Sequence, residues 1–189
     1  EAALAALART HRPELERRAH NLRGAAWFAL GELRAAQDAF DRAAALAADA
    51  GDVLLLARAM YNLGAIAGLR GSPRAALSYY QLSLAAYQRA GHEIGLAETS
   101  HNVAIAYRDL GHLDVADDYE RRTIAYATAA GNARLVAMAR TGRAELQLRR
   151  GDAPLAATAA RLAAEAFAAL PDPVGEADAL RLVGVARLA

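Results

Sequence analysis

The sequence contains no cysteine. That removes a disulfide framework, a thiolate nucleophile and a cysteine zinc site. Lysine is absent too: all 22 basic residues are arginine, a bias expected of a GC-rich bacterial gene, although arginine also suits planar, bidentate contacts. Neither sign of charge prevails, since the formal net charge is +1, and nothing in the balance points to nucleic acid. No run is long and apolar enough for a membrane span: the longest alanine-rich stretch, Leu155 to Leu170, is broken by Arg161 and Glu165. Residues 1–10 lack the charged-then-apolar order of a signal peptide, so a cytoplasmic protein is expected. Only five prolines interrupt the chain, and strand-forming residues are few. What remains is alanine, by far the commonest residue, in a chain that is 55% hydrophobic, a composition for closely packed helices. At 189 residues there is room for one ordinary domain or a short repeat array.

The spacing of glycine favours the array. Gly31, Gly71, Gly111 and Gly151 follow one another at intervals of 40 residues. A second series, Gly51, Gly91 and Gly131 and then Pro171, has the same step. Between these breaks the sequence has a helical period, and glycine just past a helix end is the expected left-handed stop. Ser72-Pro73, Asp152 and Asp172-Pro173 supply cap and first-turn chemistry for the helices that follow. The unit is helix, turn, helix, turn. Within it small residues recur where helices must touch: Gly24, Gly64, Ala104, Ala144 and Gly184 in first helices, and Ala36, Ala76, Ala116 and Ala156 in second helices. Phe40 and Tyr80 lie four residues beyond two of those alanines. Large and small side chains at fixed offsets let helices interlock at short distance. Gly64 is read in this way, and Gly68 has no counterpart glycine in the other repeats.

This pattern resembles the tetratricopeptide repeat family. Leu63-Gly64 match its first-helix pair, Trp27 and Tyr107 its first-helix aromatic, and the 40-step glycines its turn. Ala36 with Phe40 and Ala76 with Tyr80 match its second-helix alanine and aromatic. The period of 40 exceeds the usual value of about 34 and is similar to the long-helix subclass of polarity-complex adaptors and bacterial signalling ATPases and regulators. The resemblance implies an all-α, right-handed solenoid of antiparallel helix pairs. By register, residues 1–13 are the second helix of a preceding repeat, 14–53, 54–93, 94–133 and 134–173 are full repeats, and 174–189 form a further first helix. Neither end carries a polar capping helix, so the chain is read as a segment of a longer protein.

Chemistry is hard to find. There is no nucleotide-binding loop, the five histidines make no HExxH motif, and no serine, histidine and acid are spaced as a triad. Neither enzyme activity, nor a cofactor, nor a metal site is expected. Asp114, Asp117 and Asp118 are read as a solvated first turn, and the arginine clusters around residues 12–23 and 134–150 as solvated helix faces. The resemblance implies instead a concave groove lined by first helices, with an asparagine at the sixth position gripping a peptide backbone. Asn62 and Asn102 hold that position; Leu22 and Gly142 hold it in the other repeats. Arg58 and Tyr61, then Glu98, His101 and Asp109, share their face. A protein or peptide partner is therefore expected, with no nucleic acid and no membrane, and with end-to-end self-association through the bare ends. An alternative is a ligand-responsive sensor arm of a larger regulator or signalling ATPase. Finally, Glu120 stands where Phe40 and Tyr80 stand, and Arg140 and Arg143 where Met60 and Leu63 stand. An unpaired buried carboxylate is costly, so a Glu120 ion pair with Arg140 or Arg143 is expected.

Overall fold

The computed structural model describes residues 12–189, so the expected second helix over 1–13 lies almost wholly outside the described residues. Among the described residues there are nine helices and no strand: α1 Pro13–Ala29, α2 Leu33–Asp49, α3 Val53–Leu69, α4 Pro73–Ala90, α5 Glu93–Asp109, α6 Leu113–Ala129, α7 Ala133–Arg149, α8 Ala153–Ala169 and α9 Pro173–Leu188. Successive helices begin 20 residues apart.

The regularity comes from the turns. Gly31, Gly51, Gly71, Gly91, Gly111, Gly131 and Gly151 all have φ between 62° and 83°, and Pro171 takes their place before α9 with φ 29°. After each glycine the next amide reaches back to close the helix, as Asp52 N–H does to the Ala47 carbonyl at 2.8 Å. Asp52, Asn132, Asp152 and Asp172 then cap the following helix by accepting from its third amide. Ser72 makes no such side-chain bond; there the first-turn Pro73, with its fixed φ and missing N–H, does the work.

The chain divides into two compact units, one reaching to His92 and one from Glu93. In the first, α1 packs on α2, α2 on α3 and α3 on α4. Its core joins Ala36, Phe40, Leu63 and Ile66, with Phe28, Met60 and Tyr79 against them. In the second, α5 to α9 pack in the same sequence, and the first helices α5, α7 and α9 also adjoin one another. Alanine sets the spacing in both units: Ala36, Ala76, Ala116 and Ala156 are all at least 99% buried. The close approaches are aromatic. A Cβ on Gly24 would lie 2.7 Å from the Phe40 ring, and one on Gly64 or Gly175 would overlap Tyr80 or Phe167. No helix of the described residues is long and apolar enough to cross a membrane.

Candidate functional site

Two carboxylates of α6, Asp117 and Glu120, are buried. Glu120 is 2% exposed, and its Oε2 lies 3.0 Å from His101 Nδ1 of α5, so the expected bridge to Arg140 or Arg143 is replaced by a contact with histidine. The reason lies in the small-residue column. Gly24 and Gly64 accept the rings of Phe40 and Tyr80, but Ala104 fills that notch in the third repeat, and the Glu120 carboxylate lies over Gly142 of α7 instead. Arg143 is taken by Asp117, one turn earlier on α6: its Nε donates to Asp117 Oδ1 at 2.7 Å, and Arg121 donates to the other oxygen. Asp117 is therefore no solvated first-turn residue; it is 2% exposed, whereas Asp114 and Asp118 are exposed. Burial works to raise the Asp117 pKa, but the bonds and charges of Arg143 and Arg121 outweigh it and hold the carboxyl below its ordinary value. For Glu120 burial wins over the His101 bond, and its pKa is raised.

The Glu120–His101 pair borders an open pocket of about 270 Å³ in the second unit. The first helices α5, α7 and α9 line it, with Phe167 of α8 beneath. Its lining repeats at the 40-residue step: His101 and Thr141, Ile105 and Glu145, Arg134 and Val174, Met138 and Asp178. Ile105, Met138, Phe167 and Val174 make it apolar, and charges stand around them. Arg108 is ion-paired with Glu145, which Arg181 also approaches at 3.8 Å; Arg134 donates to Asp172 at 2.6 Å. The Arg108 Nε is buried without a hydrogen bond among the described residues, Asp109 at 3.6 Å being too far to accept one. A second pocket, of about 370 Å³, belongs to the first unit and lies on the first helices α1 and α3. Arg18 and Arg58 line it with Leu22, Leu54 and Asn21, whose buried amide oxygen has no hydrogen-bond partner among the described residues.

The expected groove residues are distributed between these sites. His101 lines the pocket of the second unit and Arg58 that of the first. Asn62 and Asn102 are each half-buried, the first in one unit and the second in the other, and line neither pocket. Tyr61 is half-buried, its ring 6.1 Å from that of Tyr80. Glu98 is half-buried and Asp109 exposed. Arg140 is exposed on another face of α7. Sequence reasoning passed over Met138, Thr141, Glu145 and Asp178, yet each follows from Glu98, His101 and Ile105 by one or two further steps of 40. Arg17 was likewise read as solvated; its Nε bonds Asp52 at 2.9 Å and it is mostly buried.

Comparison with known proteins finds one partial family match and a shared fold. A tetratricopeptide repeat model matches residues 55–129. No curated protein sequence matches the chain. Among solved structures the chain is similar to aspartyl phosphate phosphatase F from Bacillus subtilis, at TM-score 0.65 and 16% identity, over 92% of this chain and 49% of that one. It thus spans about half that protein's length. A putative kinesin light chain of nearly identical TPR-like repeats from Podosopora anserina matches at TM-score 0.62 and 14% identity, over 93% and 96% of the two chains. The Cut9–Hcn1 hetero-tetramer of the APC/C matches at TM-score 0.57 and 19% identity, over 98% of this chain and 41% of that one. At such identities the likeness is one of fold, over nearly the whole chain. A tetratricopeptide repeat model thus matches residues 55–129, and the helix pairs of the described residues share the fold of repeat proteins of that type.

Proposed function

We propose that this protein binds an extended segment of a protein partner along the first-helix faces of its repeats and carries out no chemistry. Repeats of this fold generally serve as interaction scaffolds. The observation that supports the reading is the pocket of the second unit, where equivalent positions of α5, α7 and α9 converge on an apolar floor ringed by both signs of charge. Ile105, Met138 and Val174 would take an apolar side chain, with His101, Thr141, Glu145 and Asp178 reading its neighbours. Asn62 in the first unit and Asn102 in the second would each offer an amide to peptide backbone passing that unit, since an amide both donates and accepts. Arg58, Tyr61, Glu98 and Asp109 would meet flanking side chains. The cytoplasm fits the reading, as does a chain free of nucleic acid and membrane. Self-association through the exposed face of α9 belongs to the same proposal.

The test is affinity for a partner recovered with the intact chain. Met138→Glu should weaken binding, and Asn62→Ala with Asn102→Ala should weaken it about tenfold or more, at the usual worth of two hydrogen bonds. Unchanged affinity in both variants, with helicity retained, would move recognition elsewhere. A second reading, a sensor arm within a longer regulator, draws on the phosphatase, of whose length the chain covers only 49%. It requires that ligand binding alter the activity of a neighbouring domain.

A further inference from the structure

Helix α7 has two used faces. Arg134, Met138, Thr141 and Glu145 point to the pocket described above. Val136, Arg140, Arg143 and Gln147 lie opposite, because at 3.6 residues per turn the two stripes are about half a turn apart. That second stripe is the floor of a trough in the second unit. Two adjoining cavities, about 540 and 420 Å³, share Arg140 and run along it. Leu155, Ala159, Leu162 and Ala166 of α8 form one wall, and the end of α6 at Ala127 and Thr128 closes the other side of the smaller cavity.

The first unit shows why the trough is open. There the corresponding stripe of α3 carries Met60 and Leu63, covered by Phe40 of α2 and Tyr79 of α4. Two repeats later Phe40 is replaced by Glu120, which has turned to His101, and Tyr79 by Ala159. Both covering rings are gone. Leu155 and Leu162, two turns apart on α8, are 49% and 53% exposed. The charge is one-sided: no carboxylate lines either cavity. Arg143 is neutralised by Asp117, while Arg140 is exposed and has no ion pair among the described residues.

We infer that this trough, between α6 and α8 over α7, docks an amphipathic helix of a protein partner, acidic where it meets Arg140. A helix is the fitting shape. The wall from Leu155 to Leu170 is about 22 Å long at 1.5 Å per residue, enough for four turns of an incoming helix. Its leucine ridge can receive an i, i+4, i+7 apolar stripe. An added strand would find no free backbone edge, because the surrounding helices satisfy their own amides. The acidic side chain follows from charge complementarity with Arg140, which a basic or neutral helix would leave unmatched.

The experiment uses the intact chain as bait for a display library of amphipathic helices of about four or five turns, apolar stripe fixed and polar positions randomised. Enriched sequences should carry aspartate or glutamate beside the stripe. Their binding should fall about tenfold or more on Arg140→Glu, and equally on Ala159→Tyr, which restores the ring found at positions 79 and 119 and closes the trough. Met138→Glu, on the opposite face of α7, should leave it unchanged. Should Ala159→Tyr fail to fold, the surface change Arg140→Glu decides. Enrichment without acidic preference, or binding insensitive to Arg140→Glu, overturns the inference. So does a chain that self-associates and becomes monomeric with Ala159→Tyr, since the occupant would then be a second copy. The outcome with Met138→Glu tests the peptide pocket separately, so failure of one site does not imply failure of the other.

Discussion

Gly64 and Gly68 sit one turn apart in α3, and each gives up roughly 1 kcal/mol of helix propensity relative to alanine. Only Gly64 has a structural return. A Cβ there would overlap the Tyr80 ring, whereas one on Gly68 would meet nothing nearer than the Tyr80 hydroxyl at 4.0 Å. Gly64→Ala should therefore destabilise the fold by about 1–3 kcal/mol through overpacking, less the propensity gained. Gly68→Ala should stabilise it by about 0.5–1 kcal/mol. Urea denaturation of the two variants checks both signs, and a destabilised Gly68→Ala would show a constraint on that backbone that the packing does not contain. The close approach at Gly64 was legible in the sequence because its column repeats. Gly142 was not legible in the same way: it shares a column with Asn62 and Asn102, and nothing in that column shows that it makes room for the Glu120 carboxylate.

At the scale of the element, α6 carries two buried acids with opposite pH signatures. The raised pKa of Glu120 means the folded state holds its proton more tightly than the unfolded chain, so stability falls as pH rises from the ordinary value of 4.5 through the folded one. The lowered pKa of Asp117 works the other way: its contribution is present above the ordinary value of 3.8 and is lost as pH falls through the folded one. Denaturation midpoints taken across the acid range should separate them. Relative to the native chain, Glu120→Gln should lose less stability on the alkaline side of 4.5, and Asp117→Asn should lose less on the acid side of 3.8. A Glu120→Gln profile parallel to the native one throughout would mean that the carboxyl does not titrate as a buried group. Burial of Glu120 and its need for a basic partner could be read from the repeat pattern. The choice of His101 could not, because it depends on the direction the side chain takes once Ala104 has filled the notch used by Phe40 and Tyr80 elsewhere. Asp117 was missed for a related reason: a first-turn aspartate has a solvated role on any helix, and only the packing of α6 on α7 brings Arg143 to it.

Across the whole molecule, the 40-residue step was the most legible feature, since each turn glycine marks its position without reference to tertiary structure. The division at His92 left no trace, the glycine series passing through it unchanged. The pockets were only half legible: their positions follow from the step, but their depth depends on where rings are missing. The last helix follows the same logic. Gly184 stands in the column of Gly24 and Gly64, yet no atom of the described residues lies within 4 Å of where its Cβ would be. Leu180 and Leu188, four residues to either side, are 49% and 91% exposed. In α1 and α3 the glycine of this column lies under an aromatic ring of a second helix, so the stripe on α9 has the shape that receives one. Exposed apolar stripes of this kind mark association surfaces. We expect the chain to self-associate with rising concentration through α9, and Leu180→Glu with Leu188→Glu to keep it monomeric, as read by sedimentation velocity. Because both leucines are exposed, the double variant should fold as the native chain does. A native chain that stays monomeric at every concentration would remove α9 as a self-association surface, and association that survives the double variant would place the contact elsewhere.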